Sequence, residues 1–274
     1  MEQNAAQTAT PVGEGGLLLQ LLQGQRLEGF EKSFKMADRT LLSNRYLMGI
    51  HKGDMTPARL FDICERIAMP ANHLAAFKEN LPGANTVHFG FEGNAGGGMY
   101  KVYLEFAGQL YRAPAASPGD IAPVLLHLAY KWDALDRDKS TVARYVCHPR
   151  LPMAAILVRL ANIYSCHADR ASFEAALGII ELAAARTREP LMYLEVSEQN
   201  NPRSSFDINL HDAGLGLKDI EHWLTAMRMH YSIPFDRFER MLGPIGAEKL
   251  GHLSGGINRE GRDFLTVYYE VGSR

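Results

Sequence analysis

The sequence predicts an α+β fold in which antiparallel strand hairpins alternate with pairs of helices. Three observations carry this. Four stretches read as two strands joined by a turn, within Thr86–Phe106, Val124–His148, Leu191–His211 and Leu250–Glu270. Pairs of segments with helical spacing separate them in the second half of the chain. The strands also divide into an apolar and a polar face. On Met99–Phe106, Tyr100, Val102, Leu104 and Phe106 share one side, and Lys101, Tyr103 and Glu105 the other. Hairpins imply antiparallel pairing, not the parallel sheet built from single strands alternating with helices. Two arrangements suit such strands. One is an open sheet with helices on one side and water on the other. The other is a closed antiparallel β-barrel with helices outside and a polar lumen. Closure removes edge strands, and charges inside must then be satisfied by water or a ligand.

Composition narrows the function. The 274 residues include 46% hydrophobic and 22% charged residues, ordinary for a globular protein. They suit a single domain over residues 16–274, after a leader at 1–15 expected to be disordered. Net charge is -2 without a basic block, which argues against a nucleic-acid partner. No apolar run reaches the roughly 18 residues of a membrane span, and the N-terminus lacks the charged and apolar regions of a secretory signal. Three cysteines are too few, and odd in number, for a disulfide framework. The cytoplasm is the expected compartment.

In chain order, Gly16–Phe34 reads as a helix interrupted at Gly24, and Leu41–Ile50 fits helix or strand. Thr56-Pro57 is a helix start, since threonine caps and proline suits the first turn. Leu60, Phe61, Cys64 and Ile67 follow at helical spacing, and Pro70 ends or kinks that helix. Val87–Glu92 and Met99–Phe106 are strands around a turn, Gly93-Asn-Ala-Gly-Gly-Gly98. Pro114–Pro123 is a loop. Val124–Asp133 alternates, placing Leu125, His127, Ala129, Lys131 and Asp133 together; a strand is preferred there over a helix. Thr141–His148 returns. Met153–Ser165 and Ala171–Arg186 are helices. Leu191–Glu198 is a strand with Met192, Leu194 and Val196 facing one way and Tyr193, Glu195 and Ser197 the other. Arg203–His211 returns with Phe206, Ile208 and Leu210 on its apolar face. Lys218–Met229 and Pro234–Leu242 are helices. In the last strand Leu265, Val267 and Tyr269 oppose Thr266, Tyr268 and Glu270.

With these residues in view, FGFEGN…MYKVYLEF resembles the Lys-x-Tyr strand hairpin of the ABBA-type aromatic prenyltransferases, and the pattern extends over roughly Thr56–Glu270. The resemblance implies a barrel of ten antiparallel strands from ααββ units, helices outside. It implies a lumen that binds an isoprenoid diphosphate beside an aromatic small molecule or peptide. Lys101 and Tyr103 fall on the Lys-x-Tyr positions, and Tyr268 on the terminal strand's tyrosine. Arg144, Tyr193 and Arg203 match as inward basic or phenolic residues on later strands, and Lys131 joins them from the polar face of Val124–Asp133. Together these seven are the candidate residues for diphosphate binding and cation shielding, with Glu105 as a candidate proton acceptor. Four hairpins are legible, so a fifth pair has to lie near Leu41–Ile50 or be lost. The acidic base that fungal members place near the start of the barrel is not identifiable. No DDxxD-type carboxylate cluster is present, so no cofactor is required; Mg²⁺ could accompany the diphosphate.

Other motifs yield to plainer readings. Cys147-His148 and Cys166-His167 lack the four spaced ligands of a zinc site. GNAGGG lacks the GK[ST] and following helix of a phosphate loop. Around Ser254, His252 stands where a nucleophile elbow needs its first glycine. Trp132 and Trp223 sit on apolar stripes and read as core. The alternative to the transferase is a non-catalytic barrel or curved sheet that binds a small acidic ligand.

Overall fold

Helices α1 (Glu14–Leu21), α2 (Pro57–Arg66) and α3 (Ala71–Asn80) cover one side of a closed antiparallel barrel. Helices α5 (Met153–Ile163), α6 (Ala171–Arg186), α7 (Glu221–His230) and α8 (Phe235–Leu242) cover the other. The short α4 (Gly108–Arg112) follows the first predicted hairpin. These positions come from a computed structural model that describes residues 14–94, 96–112, 122–167 and 169–272. Residues 1–13 of the expected leader, and residues 114–121 of the Pro114–Pro123 loop, lie outside that range; Glu14 already opens α1.

The strands are β1 (Gly29–Ala37), β2 (Thr40–Leu42), β3 (Arg45–His51), β4 (Thr86–Asn94), β5 (Gly97–Glu105) and β6 (Val124–Asp133), followed by β7 (Ser140–His148), β8 (Met192–Glu198), β9 (Ser204–Asn209), β10 (Leu250–Ile257) and β11 (Asp263–Gly272). From β3 to β11 each strand pairs with its neighbours in sequence, β1 pairs with both β2 and β3, and β11 pairs with β1 to close the sheet. β2 and β3 share one edge of β1, at Lys35–Ala37 and Gly29–Lys32 respectively, so together they occupy one barrel position and the barrel has ten. The fifth hairpin therefore lies where the Leu41–Ile50 ambiguity allowed it.

Its first strand corrects the reading of Gly16–Phe34 as a single interrupted helix. The helix stops at Leu21, and Gly24, at φ 77°, turns the chain. From Gly29 the period changes to two: Phe34 and Met36 are buried against the helices while Glu31, Ser33 and Lys35 face the lumen. Thr56 caps α2 as predicted, its Oγ1 accepting from the Arg59 N–H at 3.3 Å. Val124–Asp133 is strand β6, with Trp132 in the outer core, its indole donating to the Ile67 carbonyl at 3.1 Å.

Two details of the wall govern the lumen. A bulge between Leu125 and His127 lets both Leu126 and His127 point inward, which simple alternation forbids. On β8 the predicted faces are reversed: Leu194 and Val196 line the interior with Ala143 and Cys147, and Tyr193 lies under the helices. No helix among the described residues is long and apolar enough to cross a membrane.

Candidate active site in the barrel lumen

Parity along ten strands stacks the inward side chains in three layers, named here from the end of the barrel where the hairpins turn. The turn-end layer is cationic. Lys35, Arg45, Lys101, Lys131 and Arg203 come from β1, β3, β5, β6 and the β8–β9 turn. Glu92 of β4 accepts from Lys101 and stands 3.1 Å from Arg45. Glu198 of β8 lies 3.1 Å from Lys131, 2.6 Å from Arg203 and 2.9 Å from Arg259 at the rim. Five inward cations thus share two carboxylates among the described residues. Burial draws the Lys35 and Lys131 ammoniums down and brings Lys101 to about 8. Burial alone would raise Glu92, yet the charges of Arg45, Lys101 and Lys35 hold it well below the usual carboxylate range. The surplus positive charge is what a polyanion would neutralise.

The middle layer is phenolic. Tyr103, Tyr145 and Tyr268 line a cavity of about 360 Å³. The rings of Tyr103 and Tyr145 are 5.7 Å apart, and the Lys131 ammonium lies 5.8 Å from the Tyr145 ring centre. Burial raises all three phenols, so their hydroxyls stay protonated.

The helix-end layer combines carboxylates and imidazoles. His88 Nε2 and Glu105 Oε2 are 2.6 Å apart, and His252 Nδ1 and Asp207 Oδ1 are 3.0 Å apart. Burial works against a charged His252, but the hydrogen bond and charge of Asp207, with Glu31 and Glu105 beyond, outweigh it and raise His252 to about 9. Burial raises the Glu31 carboxyl, against the opposing charge of His252. It lowers His127 to about 4. Glu105 moves the other way: burial would raise it, but its hydrogen bond to His88 lowers it. Gly49 makes room for the His88 ring, since a Cβ there would lie 3.0 Å from Nδ1. His88, Glu105 and His127 are the described residues whose ligating atoms could gather on a metal ion.

No family model and no curated relative matches this chain. Solved structures do. The prenyltransferase PriB in complex with L-tryptophan and dimethylallyl thiolodiphosphate superposes with TM-score 0.57 at 16% identity, covering 88% of this chain and 79% of that one. The 5-dimethylallyltryptophan synthase from Streptomyces coelicolor gives TM-score 0.57 at 13% identity, over 88% and 80% of the two chains. A 6-dimethylallyl tryptophan synthase gives 0.55 at 16% identity, with the same coverage. This chain has the fold of the ABBA aromatic prenyltransferases. At these identities the likeness is one of fold.

In this barrel Lys101, Tyr103, Glu105, Lys131, Arg203 and Tyr268 all face the lumen. Arg144 and Tyr193 do not. Ala143, Tyr145 and Cys147 are the inward residues of β7, so parity leaves Arg144 exposed on the outer wall opposite Leu128. Tyr193 is fully buried among Ile208, Leu191 and the helices, 5.9 Å from the His148 ring. The ABBA lumen also gathers residues the sequence reading missed: Glu31, Lys35, Arg45, Glu92, Tyr145, Glu198, Asp207 and His252. Asp207 and Lys35 were discoverable by alternation. Tyr145 was hidden by the choice of Arg144, its neighbour in the sequence, as the inward residue.

Proposed function

We propose that this protein transfers a prenyl group from an isoprenoid diphosphate to an aromatic acceptor inside the barrel. The supporting observation is the stacking of a cation surplus beneath three tyrosines within one barrel lumen. The diphosphate sits against Lys35, Arg45, Lys101, Lys131 and Arg203. As the allylic C–O bond breaks, the diphosphate leaves with the electron pair, and the fixed cations stabilise the charge that develops on it. Arginine grips phosphate oxygens in a planar fork, and lysine acts as a point charge. Tyr103, Tyr145 and Tyr268 face the allylic cation and exclude water, with cation–π attraction worth ~0.5–2 kcal/mol each.

The aromatic ring of the acceptor attacks the cation from the helix end, forming the new C–C bond, and then loses its proton. Two carboxylates line the cavity there. Glu105 is committed to His88 and is the weaker base. Glu31, raised by burial, is the stronger base and takes the proton. Any Mg²⁺ would arrive with the diphosphate, because Glu92 and Glu198 are already held by Arg45, Lys101, Lys131 and Arg203.

The test is incubation of the full chain with dimethylallyl diphosphate, with and without a panel of indoles, phenols and aromatic peptides. Diphosphate release that depends on an acceptor, with a product heavier by one prenyl unit, is the expected result. Saturable diphosphate binding without product would leave a barrel that binds a small acidic ligand and overturn the transferase.

A further inference from the structure

We propose that His88, Glu105 and His127 form a site for a divalent first-row transition ion of the zinc type, at the helix end of the lumen. The inference does not depend on the transferase reading. One ligating atom from each residue lies within 4.8 Å of the other two. Ligands held at about 2.1 Å around a tetrahedral ion stand about 3.4 Å apart, so side-chain adjustments of about an ångström seat all three on one ion.

The residues come from three adjacent strands. Glu105 and His127 are direct partners across β5 and β6, and His88 lies diagonally across β4 and β5, opposite Tyr103. The bulge before His127 aims its ring at this corner, with ring centres 5.9 Å from His88 and 5.7 Å from Tyr145. Bulges are a recurrent means of re-aiming a functional side chain.

A hydrogen bond between His88 and Glu105 accounts for two of the three groups without a metal. It does not account for the third. His127 Nδ1 is buried and has no hydrogen-bond partner, a state native structures seldom leave unexplained. Asp207 and Glu31 line the same cavity, Asp207 paired with His252. Two imidazoles and one carboxylate favour zinc, iron, cobalt or nickel over magnesium and calcium, which prefer all-oxygen shells. Three protein ligands leave coordination positions open to the cavity, the arrangement of a site that also accepts water or a donor atom of a bound molecule.

The test uses the tag-free full chain, stripped with chelator and titrated calorimetrically with Zn²⁺ alone. One equivalent per chain should bind, and His127→Ala should weaken it at least tenfold while melting cooperatively. Cys166→Ser/His167→Ala, which removes the Cys-His pair outside the barrel, should bind as the wild type does. Co²⁺ loaded into the wild type should show a nitrogen and oxygen ligand spectrum without a thiolate charge-transfer band, a readout that does not need His127→Ala to fold. The absence of stoichiometric binding, full binding by folded His127→Ala, loss in Cys166→Ser/His167→Ala, or a thiolate band would each overturn the site.

Discussion

Lys101 and Glu92 meet across the β4–β5 hairpin, the ammonium donating to a carboxylate that Arg45 also approaches at 3.1 Å. One carboxylate therefore serves two cations directly and feels a third, Lys35. The pair holds Lys101 in place without neutralising the layer. A buried cation that keeps a surplus charge is costly to the folded chain and ready for an anion.

Lys101→Ala should raise KM for the prenyl donor and lower turnover. Losing one charge-assisted hydrogen bond costs roughly 1.5–3 kcal/mol, so about 10- to 150-fold in kcat/KM. The fold should survive, because Glu92 keeps Arg45. Steady-state kinetics at varied donor concentration, beside a thermal melt, checks both; unchanged kinetics in a folded variant removes the diphosphate from this hairpin.

Because burial brings Lys101 to about 8, kcat/KM for the donor should fall as pH rises through that value, when the free enzyme loses the charge. Lys101→Arg keeps its charge at any accessible pH and should move the descending limb upward. The stability effect has the opposite sign. Between about 8 and 10.5 the folded chain holds fewer protons at Lys101 than the unfolded chain does, so this residue makes folding more favourable as pH rises over that interval.

His252 behaves in the reverse sense. Its folded value of about 9 lies above the ordinary 6.5. Its ion pair with Asp207 therefore stabilises fully below 6.5 and loses its contribution as pH rises through about 9, a change of order 1–3 kcal/mol. Asp207→Asn removes the partner. The gap in Tm between wild type and Asp207→Asn should shrink from pH 6.5 to 9, and a gap constant with pH would show that the pair is not ionic.

Arg144 and Arg203 form a contrast. Arg144→Ala, on the exposed outer wall, should change stability by no more than about 0.5 kcal/mol and leave kinetics untouched. Arg203→Ala leaves Glu198 with Lys131 and Arg259 and removes a cation from the turn-end layer. It should cost about 10-fold or more in kcat/KM for the donor. Equal kinetic effects of the two substitutions would contradict the placement of Arg203 inside and Arg144 outside.

Where the reading from sequence succeeded and where it failed has a common cause. On β5 the alternation of Tyr100, Val102 and Leu104 with Lys101, Tyr103 and Glu105 assigns both faces correctly, because a polar row cannot pack under helices. On β8 the same alternation misassigns them. The lumen wall beside Leu194 and Val196 is itself apolar, so an apolar row fits either side. Tyr193 then packs outward, where a buried phenol is as acceptable as a leucine. On β7 the single-residue choice between Arg144 and Tyr145 had no local answer, since either side chain suits a polar interior.

Local chemistry determined the hairpins, the α2 cap, the outer faces of β5, β9 and β11, that of β6 only beyond the bulge that turns Leu126 inward and Leu125 outward, and the inward row Lys101, Tyr103, Glu105. These follow from the two-residue period of a strand and the 3.6-residue period of a helix, which neighbouring residues alone express. Closure was decided elsewhere. It rests on β11 pairing with β1, near opposite ends of the chain, and no local pattern encodes that contact. Only closure brings Glu31 and Lys35 of the first strand to the same lumen as Asp207, His252 and Tyr268 of the last ones. The charge surplus and the shifted carboxyls and imidazoles arise there, because they depend on burial and on neighbours that the chain supplies from strands distant in sequence.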